Sequence, residues 1–274
     1  MSEARSAAAP FRENVVLLTG ATAGIGREMA LQLADQGAWL ALGARNGGVL
    51  AGVVEECRRR GARCIGLPTD VGQERQCAAL VEAALAEYGR LETLINNAGI
   101  SMWCRFDEME SLEPLTKIMQ VNYFGSVYCT HHALPHLKVS RGRIVGVSSL
   151  TGKTGVPTRS GYAASKHAIA GFFDSLRIEL MGSGVTVTMA YPDFVATEVR
   201  QRAFGADGRP LGESPVKEGE VMSASECARQ ILDAAARRKR EIVQSRRGRL
   251  GQWLKAFAPG LVDRIALRAI ERGK

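Results

Sequence analysis

Residues 15–26 of this chain read VVLLTGATAGIG, an apolar run followed directly by a glycine-rich turn. A short apolar run such as Val15–Thr19 is typical of a strand that is buried on both faces of a sheet. The glycines that follow let the backbone approach a ligand closely, and an amphipathic helix begins after them. Strand, glycine turn and helix together predict a phosphate-binding loop, because a helix N-terminus offers free N–H groups and a favourable dipole.

Strand-like and helix-like segments alternate along the rest of the chain. This alternation indicates an α/β fold, in which a doubly wound parallel sheet lies between two layers of helices and ligands bind at the carboxyl ends of the strands. The sequence predicts further strands at residues 39–43, 64–67, 91–95, 143–147, 185–190 and 241–244, and helices at 49–60, 73–88, 112–138, 162–181 and 223–238.

Length and cysteine usage limit the class of protein. The 274 residues predict one large domain, residues 14–245, preceded by a disordered tail at 1–13. The tail has no apolar core and so does not resemble a secretory signal, and no apolar run is long enough to span a bilayer. Six scattered cysteines without a CxxC pair favour reduced thiols over disulfides or a metal site. We therefore expect a cytoplasmic protein that binds no metal.

Positive charge is concentrated near the C-terminus. Residues 237–274 contain twelve Lys or Arg and three acidic residues, whereas the whole chain has a net charge of +8. The first 236 residues are therefore close to neutral, which argues against nucleic acid as a partner.

Residues 246–274 form a basic amphipathic arm, which Pro259–Gly260 is expected to break into two helices. Such an arm can lie on an anionic membrane surface, giving peripheral membrane contact through residues 250–270. An apolar stripe is equally the ordinary sign of packing on the protein's own domain or on a partner subunit, so both interpretations stay open. The apolar positions are Leu250, Trp253, Leu254, Phe257, Leu261, Ile265 and Ala269.

The residues after the second predicted strand bear on the ligand of the glycine loop. In dinucleotide-binding folds, an acidic residue about twenty positions after that loop holds the 2′-hydroxyl of NAD. Residues 41–46 contain no acid, and Arg45 is placed to pair with a 2′-phosphate. We therefore predict NADP(H) as the cofactor. The alternative is that Arg45 is a solvated surface residue.

Polar residues follow two other predicted strands. Asn96-Asn97-Ala98-Gly99 comes directly after the fourth strand, and Ser148-Ser149 ends the fifth. Both would lie at the carboxyl edge of the sheet beside a dinucleotide, although Asn and Gly are also ordinary turn formers. Asn122 lies inside an apolar helix, which suggests a local kink or a bound water.

Tyr162 and Lys166 lie four residues apart in a predicted helix and would therefore share a face. A free tyrosine loses its proton near pH 10, too high for efficient proton transfer at neutral pH. A nearby ammonium favours the phenolate and makes such a pair a tunable proton donor. A Tyr and a Lys at this spacing also occur by chance, so the pair gains meaning only from the other motifs.

Taken in order and spacing, TGATAGIG (19–26), NNAG (96–99), Asn122, Ser149 and Tyr162-x3-Lys166 resemble the short-chain dehydrogenase/reductase family. The resemblance runs from about residue 15 to residue 242 and is nearest to hydroxysteroid-dehydrogenase-like members, which also carry a C-terminal extension. It implies a Rossmann-like seven-stranded sheet, NAD(P) as cofactor and a homo-oligomer, a dimer or a tetramer. It also implies a catalytic tetrad of Asn122, Ser149, Tyr162 and Lys166.

The same resemblance implies the cofactor contacts. Asp70-Val71 matches the pair that contacts the adenine, and residues 192–197 match the segment that covers the nicotinamide, with Thr197 near its carboxamide. One position departs from the family, since Asp193 stands where Gly is usual. Asp tolerates turn geometry, so we expect the loop fold to survive. The predicted cofactor residues are Gly20, Thr22, Ala23, Gly24, Ile25, Gly26, Arg45, Asp70, Val71, Asn97, Ala98, Gly99, Tyr162, Lys166, Pro192, Val195 and Thr197.

The loops expected to face the substrate are apolar and bulky, and residues 193–222, rich in Gly, Pro and charge, resemble a lid. We therefore expect a lipophilic ketone, aldehyde or alcohol as the substrate, with Tyr162 as general acid and base. Some of these side chains could instead pack the lid against the core. The apolar residues are Met102, Trp103, Phe106, Val156, Phe194 and Phe204.

Two other classes share this fold. A non-catalytic NADP-sensing or scaffold protein would have no need of all four residues of the tetrad. A sugar-nucleotide epimerase or dehydratase uses a similar Tyr-Lys pair, but it generally carries a larger C-terminal domain than this chain has room for. An NADP(H)-dependent oxidoreductase is therefore the expected function, with the sensor as the alternative.

Overall fold

A computed structural model describes residues 9–214 and 221–271 and places seven strands in one parallel sheet of order β3-β2-β1-β4-β5-β6-β9. Every pair of neighbours in this sheet is parallel, which confirms the doubly wound α/β fold. The strands are β1 Val15–Thr19, β2 Trp39–Ala44, β3 Cys64–Pro68, β4 Thr93–Asn96, β5 Arg143–Val147, β6 Thr186–Tyr191, β7 Val195–Ala196, β8 Met222–Ser223 and β9 Glu241–Val243.

Helices cover both faces of the sheet and bury two apolar clusters. One cluster joins the sheet to α1, α2 and α7, and the other joins it to α3, α5 and α6. The helices are α1 Gly24–Asp35, α2 Gly47–Arg59, α3 Glu74–Tyr88, α4 Glu113–Met119, α5 Gly125–Ser140, α6 Ser160–Glu179, α7 Ala224–Ala236, α8 Arg246–Phe257 and α9 Pro259–Glu271.

The stretch predicted to be mostly helical, 112–138, contains a π-helical turn at Gln120–Phe124, which separates α4 from α5. This turn includes Asn122, where the sequence suggested a local kink. One local feature differs from the sequence prediction, because β7 and β8 form a separate two-stranded parallel ladder. Strands of two residues have no hydrophobic period, so sequence patterns could not predict them.

The N-terminal tail is shorter than predicted. The Phe11 side chain is fully buried in the core, and Asn14 N donates a hydrogen bond to Phe11 O at 3.0 Å. The packed domain therefore begins at about residue 9 rather than at residue 14, and residues 1–8 lie outside the described residues. A single aromatic residue in a polar stretch carries no periodicity from which its burial could be inferred.

The C-terminal arm consists of α8 and α9, which meet at Ala258–Pro259. Lys255 Nζ donates to Lys153 O at 2.9 Å, so α8 is attached to the domain that contains the seven-stranded sheet. Nevertheless Leu250, Trp253 and Phe257 stay exposed, at 70%, 72% and 82%. Packing on the protein's own domain, one of the alternatives from the sequence, therefore does not cover these three side chains. Among the described residues, none of the helices is both long and apolar enough to cross a bilayer.

Candidate active site

The glycine loop after β1 touches the loop after β4 so closely that side chains would not fit. A Cβ atom on Gly26 would lie 2.1 Å from Gly20 O and 2.4 Å from Asn97 Nδ2. Gly24 has a φ of +51°, and a Cβ there would lie 2.9 Å from Thr197 Cγ2. The glycines thus bring β1, β4 and the segment after β6 together at the carboxyl edge of the sheet.

Asn97 fastens the two loops to each other. Its Nδ2 donates to Thr19 O at 3.0 Å and to Gly20 O at 3.2 Å. Thr19 Oγ1 accepts hydrogen bonds from the N–H groups of Asn97 and Ala98, both at 3.1 Å. The Asn97 side chain therefore holds the shape of the glycine loop.

The N-terminus of α1 is open to an anion. Ala23 occupies the N-cap position and makes no side-chain cap, and the first turn holds no acidic residue. Unpaired N–H groups and the helix dipole favour a phosphate at such an end. Together with the glycine cradle, this end fits the pyrophosphate of a dinucleotide.

The predicted adenosine side of the site lies at the ends of β2 and β3. Arg45 is exposed directly after β2, and the next residue, Asn46, caps α2 by accepting from Val49 N at 3.1 Å. Asp70 follows β3 and accepts from Gly72 N at 2.9 Å. Val71 is buried, which fixes this turn against the body of the protein.

Lys166 and Tyr162 come together on α6 as the spacing predicts. The Lys166 Nζ lies 5.6 Å from the centre of the Tyr162 ring and donates to Val147 O at 3.0 Å. Lys166 is only 4% exposed, and burial lowers its pKa, although Tyr162 acts in the opposite direction. The end of β5 therefore holds the Lys166 ammonium close to the ring of Tyr162.

Asn122 lies fully buried in the π-helical turn between α4 and α5. Its Oδ1 accepts from Ile100 N at 2.8 Å, and its Nδ2 donates to Ile100 O at 3.0 Å and to Ser165 Oγ at 2.9 Å. A Cβ on Gly99 would lie 3.3 Å from Asn122 Oδ1 and 3.4 Å from Lys166 Nζ, so both residues border the NNAG loop.

Ser149 stands at the start of the short 3₁₀ turn after β5, where its Oγ accepts from Thr151 N at 3.3 Å. The neighbouring Ser148 donates to Lys166 O at 3.1 Å and thereby ties the end of β5 to α6. The four residues of the predicted tetrad therefore come from the π-helical turn, the end of β5 and the helix α6.

The segment after β6 keeps its turn despite the aspartate. Pro192 O accepts from Leu150 N at 2.8 Å, and Val195 is buried in β7. Asp193 Oδ1 accepts from Phe194 N at 2.9 Å, and both carboxylate oxygens accept from Arg247, at 2.8 and 3.1 Å.

Asp193 thus joins the segment to the C-terminal arm. Burial raises its carboxyl pKa, but the hydrogen bonds from Arg247 and Ser245 outweigh burial, and the net pKa lies below the usual value. No sequence pattern indicates this pair, because its members lie 54 residues apart.

The six side chains of the predicted apolar lining differ in their surroundings. Met102 is fully buried in a small cluster with Cys104 and Ile118, against which Tyr162 and Phe204 also pack. Phe106 is exposed. Phe204 N donates to Ser101 O at 3.0 Å, which holds the predicted lid against the loop after β4. Residues 215–220 of the lid lie outside the described residues.

Sequence reasoning missed Arg159, which is buried beside Tyr162. Its guanidinium carbon lies 4.7 Å from the Tyr162 ring centre and 5.0 Å from that of Trp103. Arg159 is the N-cap residue of α6, three positions before Tyr162, but its position in the sequence does not indicate whether its side chain turns inward.

Comparison with known proteins identifies the family. The family model for short chain dehydrogenases matches residues 14–207. The 11-beta-hydroxysteroid dehydrogenase-like 4A of Arabidopsis thaliana is 34% identical over 249 residues, which cover 90% of this chain and 82% of that protein. The dehydrogenase/reductase SDR family protein 7-like of Dictyostelium discoideum is 31% identical, covering 92% of this chain and 80% of its own length.

A solved structure agrees with these relatives. The crystal structure of a short chain dehydrogenase/reductase from Burkholderia phymatum in complex with NAD superposes with a TM-score of 0.81 at 26% identity, covering 92% of this chain and 95% of that chain. The chain therefore belongs to the short-chain dehydrogenase/reductase family of nicotinamide-dependent oxidoreductases. Within that family it is a hydroxysteroid-dehydrogenase-like member.

Proposed function

We propose that the protein is an NADP(H)-dependent oxidoreductase that interconverts a lipophilic ketone or aldehyde and the corresponding alcohol. The observation that carries the proposal is the position of Tyr162 above the buried Lys166, beside a glycine cradle that fits a dinucleotide. A proton donor next to such a cradle is what carbonyl reduction requires.

The cofactor would be held by residues at the carboxyl edge of the sheet. The uncapped end of α1 and the glycines of residues 20–26 would take the pyrophosphate, and the exposed Arg45 would pair with a 2′-phosphate. Asp70 and Val71 would lie at the adenine, and the segment from Pro192 to Thr197 at the nicotinamide. When bound, the nicotinamide supplies or accepts the hydride.

The chain's own residues handle the proton and the developing charge. Ser149 would donate a hydrogen bond to the carbonyl oxygen as negative charge builds there. Tyr162 would give its proton to that oxygen in reduction and take it back in oxidation. The ammonium of Lys166 would favour the phenolate and hold the ribose of the cofactor. Asn122 would position a water that links Lys166 to solvent, and its hydrogen bonds to Ile100 would keep the NNAG loop in place.

The apolar side chains near Tyr162 favour a lipophilic substrate. Trp103, Phe194, Val156 and Phe204 are partly buried around the loops that flank Tyr162. An apolar surface of this kind favours a ketone or aldehyde with a large apolar body over a sugar. We also propose a homodimer or homotetramer, and peripheral membrane contact through residues 250–270, because the apolar face of the arm stays exposed.

The test is NADPH consumption by the purified protein against a panel of lipophilic ketones and aldehydes, with Tyr162→Phe in parallel. We expect turnover by the wild type and a fall of about 100-fold or more in kcat for the variant, as for loss of a general acid. NADPH binding, followed by its fluorescence, should be unchanged. Retention of most of the rate by a variant that still binds NADPH would refute the role of Tyr162.

The same panel tests the non-catalytic alternative. A protein that binds NADPH tightly, yet turns over none of the carbonyl compounds and none of the corresponding alcohols with NADP+, would favour the sensor interpretation over the reductase.

A further inference from the structure

Arg159 is a charged side chain buried next to the proposed proton donor. It is 7% exposed and occupies the N-cap position of α6, three residues before Tyr162. Its guanidinium lies over the rings of Tyr162 and Trp103, and its Nη2 donates to Ser101 Oγ at 2.6 Å. The side chain therefore lies between α6 and the loop after β4, on the side expected to receive the substrate.

The positive charge of Arg159 is poorly compensated. Within residues 9–214 and 221–271 its hydrogen-bond partner is a neutral hydroxyl, and its Nε is buried without any partner. Burial lowers its pKa, Tyr162 acts in the opposite direction, and the positive charge of the buried Arg200 lowers the pKa further. A buried cation is costly unless an anion or several hydrogen bonds balance it, and two aromatic faces offset only part of that cost.

The backbone before Arg159 is held in an unusual conformation. Thr158 has a φ of +66°, which is unfavourable for a β-branched residue. Its carbonyl accepts from Cys104 N at 3.0 Å, so the loop after β4 fixes this turn. Strain of this kind persists only where the surroundings impose it, and the strained residue directly precedes the buried Arg159.

We propose that Arg159 forms an anion subsite for the substrate, so that the preferred carbonyl compound carries a carboxylate a short distance from the carbonyl carbon. This inference rests on the proposed function and specifies its substrate class. A guanidinium binds a planar carboxylate through two parallel hydrogen bonds, and one cation matches one negative charge. The aromatic surroundings suit an apolar body, so the substrate class is an oxo acid with an apolar body.

The test compares acids with their own esters. The probes are phenylglyoxylate, 3-benzoylpropionate and 4-benzoylbutyrate, whose carboxylates lie at increasing distance from the ketone, and their methyl esters. We expect kcat/KM of the wild type to favour at least one acid over its ester by about tenfold or more, because a site built for a charged group discriminates against its neutral analogue. In Arg159→Met that ratio should fall to about one, and Arg159→Lys should recover part of it.

The controls separate an anion subsite from a structural role. Arg105→Met removes the same charge from an exposed arginine in the loop after β4, and it should leave the acid-to-ester ratio unchanged. A purely structural Arg159 would lower the rates for acid and ester alike. An unchanged ratio in Arg159→Met, or a wild type that prefers every ester, would therefore overturn the anion subsite.

A binding measurement keeps this inference distinct from the proposed function. Calorimetric titration of the NADP+-saturated protein with benzoylpropionate should show binding that Arg159→Met weakens by about tenfold. Reduction of esters without any preference for acids would leave the reductase intact and refute the subsite. Arg159-dependent binding of the acid without turnover of any probe would support the subsite and contradict the reductase.

Discussion

On the glycine-loop side of the site, backbone contacts fix the geometry, whereas on the Tyr162 side contacts of charged side chains fix it. Gly26 and Asn97 bring two loops within contact through carbonyl groups and an amide. Across the site, Arg159 lies between two aromatic rings, and Arg247 reaches Asp193 from the C-terminal arm. The first side depends on the absence of side chains, and the second depends on which side chains are present.

This difference has a physical basis in what each half has to recognise. A pyrophosphate is the same in every dinucleotide, so a backbone cradle and a helix end suffice for it. A substrate differs from one enzyme to the next, and distinguishing it takes particular side chains. The predictions below alter one half at a time.

Gly26→Ala should have the largest effect on stability and on cofactor binding. The added Cβ would lie 2.1 Å from Gly20 O, a backbone atom that can move only if the whole glycine loop moves. We expect a loss of about 1–3 kcal/mol in the free energy of unfolding, typical of overpacking, and a large fall in NADPH affinity. Urea unfolding and NADPH fluorescence titration measure the two effects.

The matched control for Gly26 is Gly52→Ala. Gly52 lies inside α2, and a Cβ there would meet nothing within 4 Å. Alanine should stabilise this helix position by about 0.5–1 kcal/mol and leave NADPH affinity unchanged. Equal effects of the two substitutions would show that the glycine loop does not form the cradle described above.

The fold and the position of the glycine loop were accessible from the sequence because their signals are local. Strand periodicity, glycine spacing and the Tyr-Lys interval each lie within a few residues. Arg159 and Asp193 were not accessible in the same way, since an arginine three positions before a tyrosine does not reveal whether it turns inward. The role of Met102 was not accessible either, because an apolar side chain in a loop can face either a ligand or the core.

Arg45→Ala tests the choice of cofactor and should have the next largest effect. Loss of a charge-assisted contact with the 2′-phosphate should weaken NADPH binding about 10- to 100-fold and leave NADH binding nearly unchanged. Arg59→Ala, at the last turn of α2 and also exposed, removes the same charge away from the site. NADH binding by the wild type as tight as NADPH at moderate salt would contradict the predicted preference for NADP(H).

Asp193→Asn should have a smaller effect, since Arg247 is mostly exposed and exposed ion pairs contribute about 1 kcal/mol or less. We expect a modest change in kcat/KM, because the arm would no longer hold the segment that is proposed to lie at the nicotinamide. A double-mutant cycle with Arg247→Gln should give a coupling free energy above zero. Strictly additive effects would show that the arm does not position that segment.

The ion pair of Asp193 with Arg247 predicts that stability depends on pH. Because the folded-state pKa of Asp193 lies below its ordinary value, its contribution to stability is complete above about pH 4 and is lost as the pH falls through the folded value. The wild type should therefore lose its stability advantage over Asp193→Asn between pH 4 and the acid limit. Thermal unfolding of both proteins from pH 7 downwards measures this, and a constant difference across the range would contradict it.

Substitutions on the exposed face of the C-terminal arm should have the smallest effect on the site itself. Serine at Leu250, Trp253 and Phe257 removes apolar area that the domain does not cover, so stability should change by about 0.5 kcal/mol or less per site. If the face lies on a membrane, the triple variant should no longer co-sediment with anionic vesicles, whereas Val139→Ser, an equally exposed apolar residue on α5, should sediment like the wild type. The other possible outcome is that the wild type does not bind vesicles and that the triple variant has a lower mass than the wild type by analytical ultracentrifugation. In that outcome the face joins two subunits. In that case Arg247 connects each proposed active site to a subunit interface. The geometry of the Tyr162 side of the site would then depend on the contact between subunits, whereas the geometry of the glycine-loop side would not.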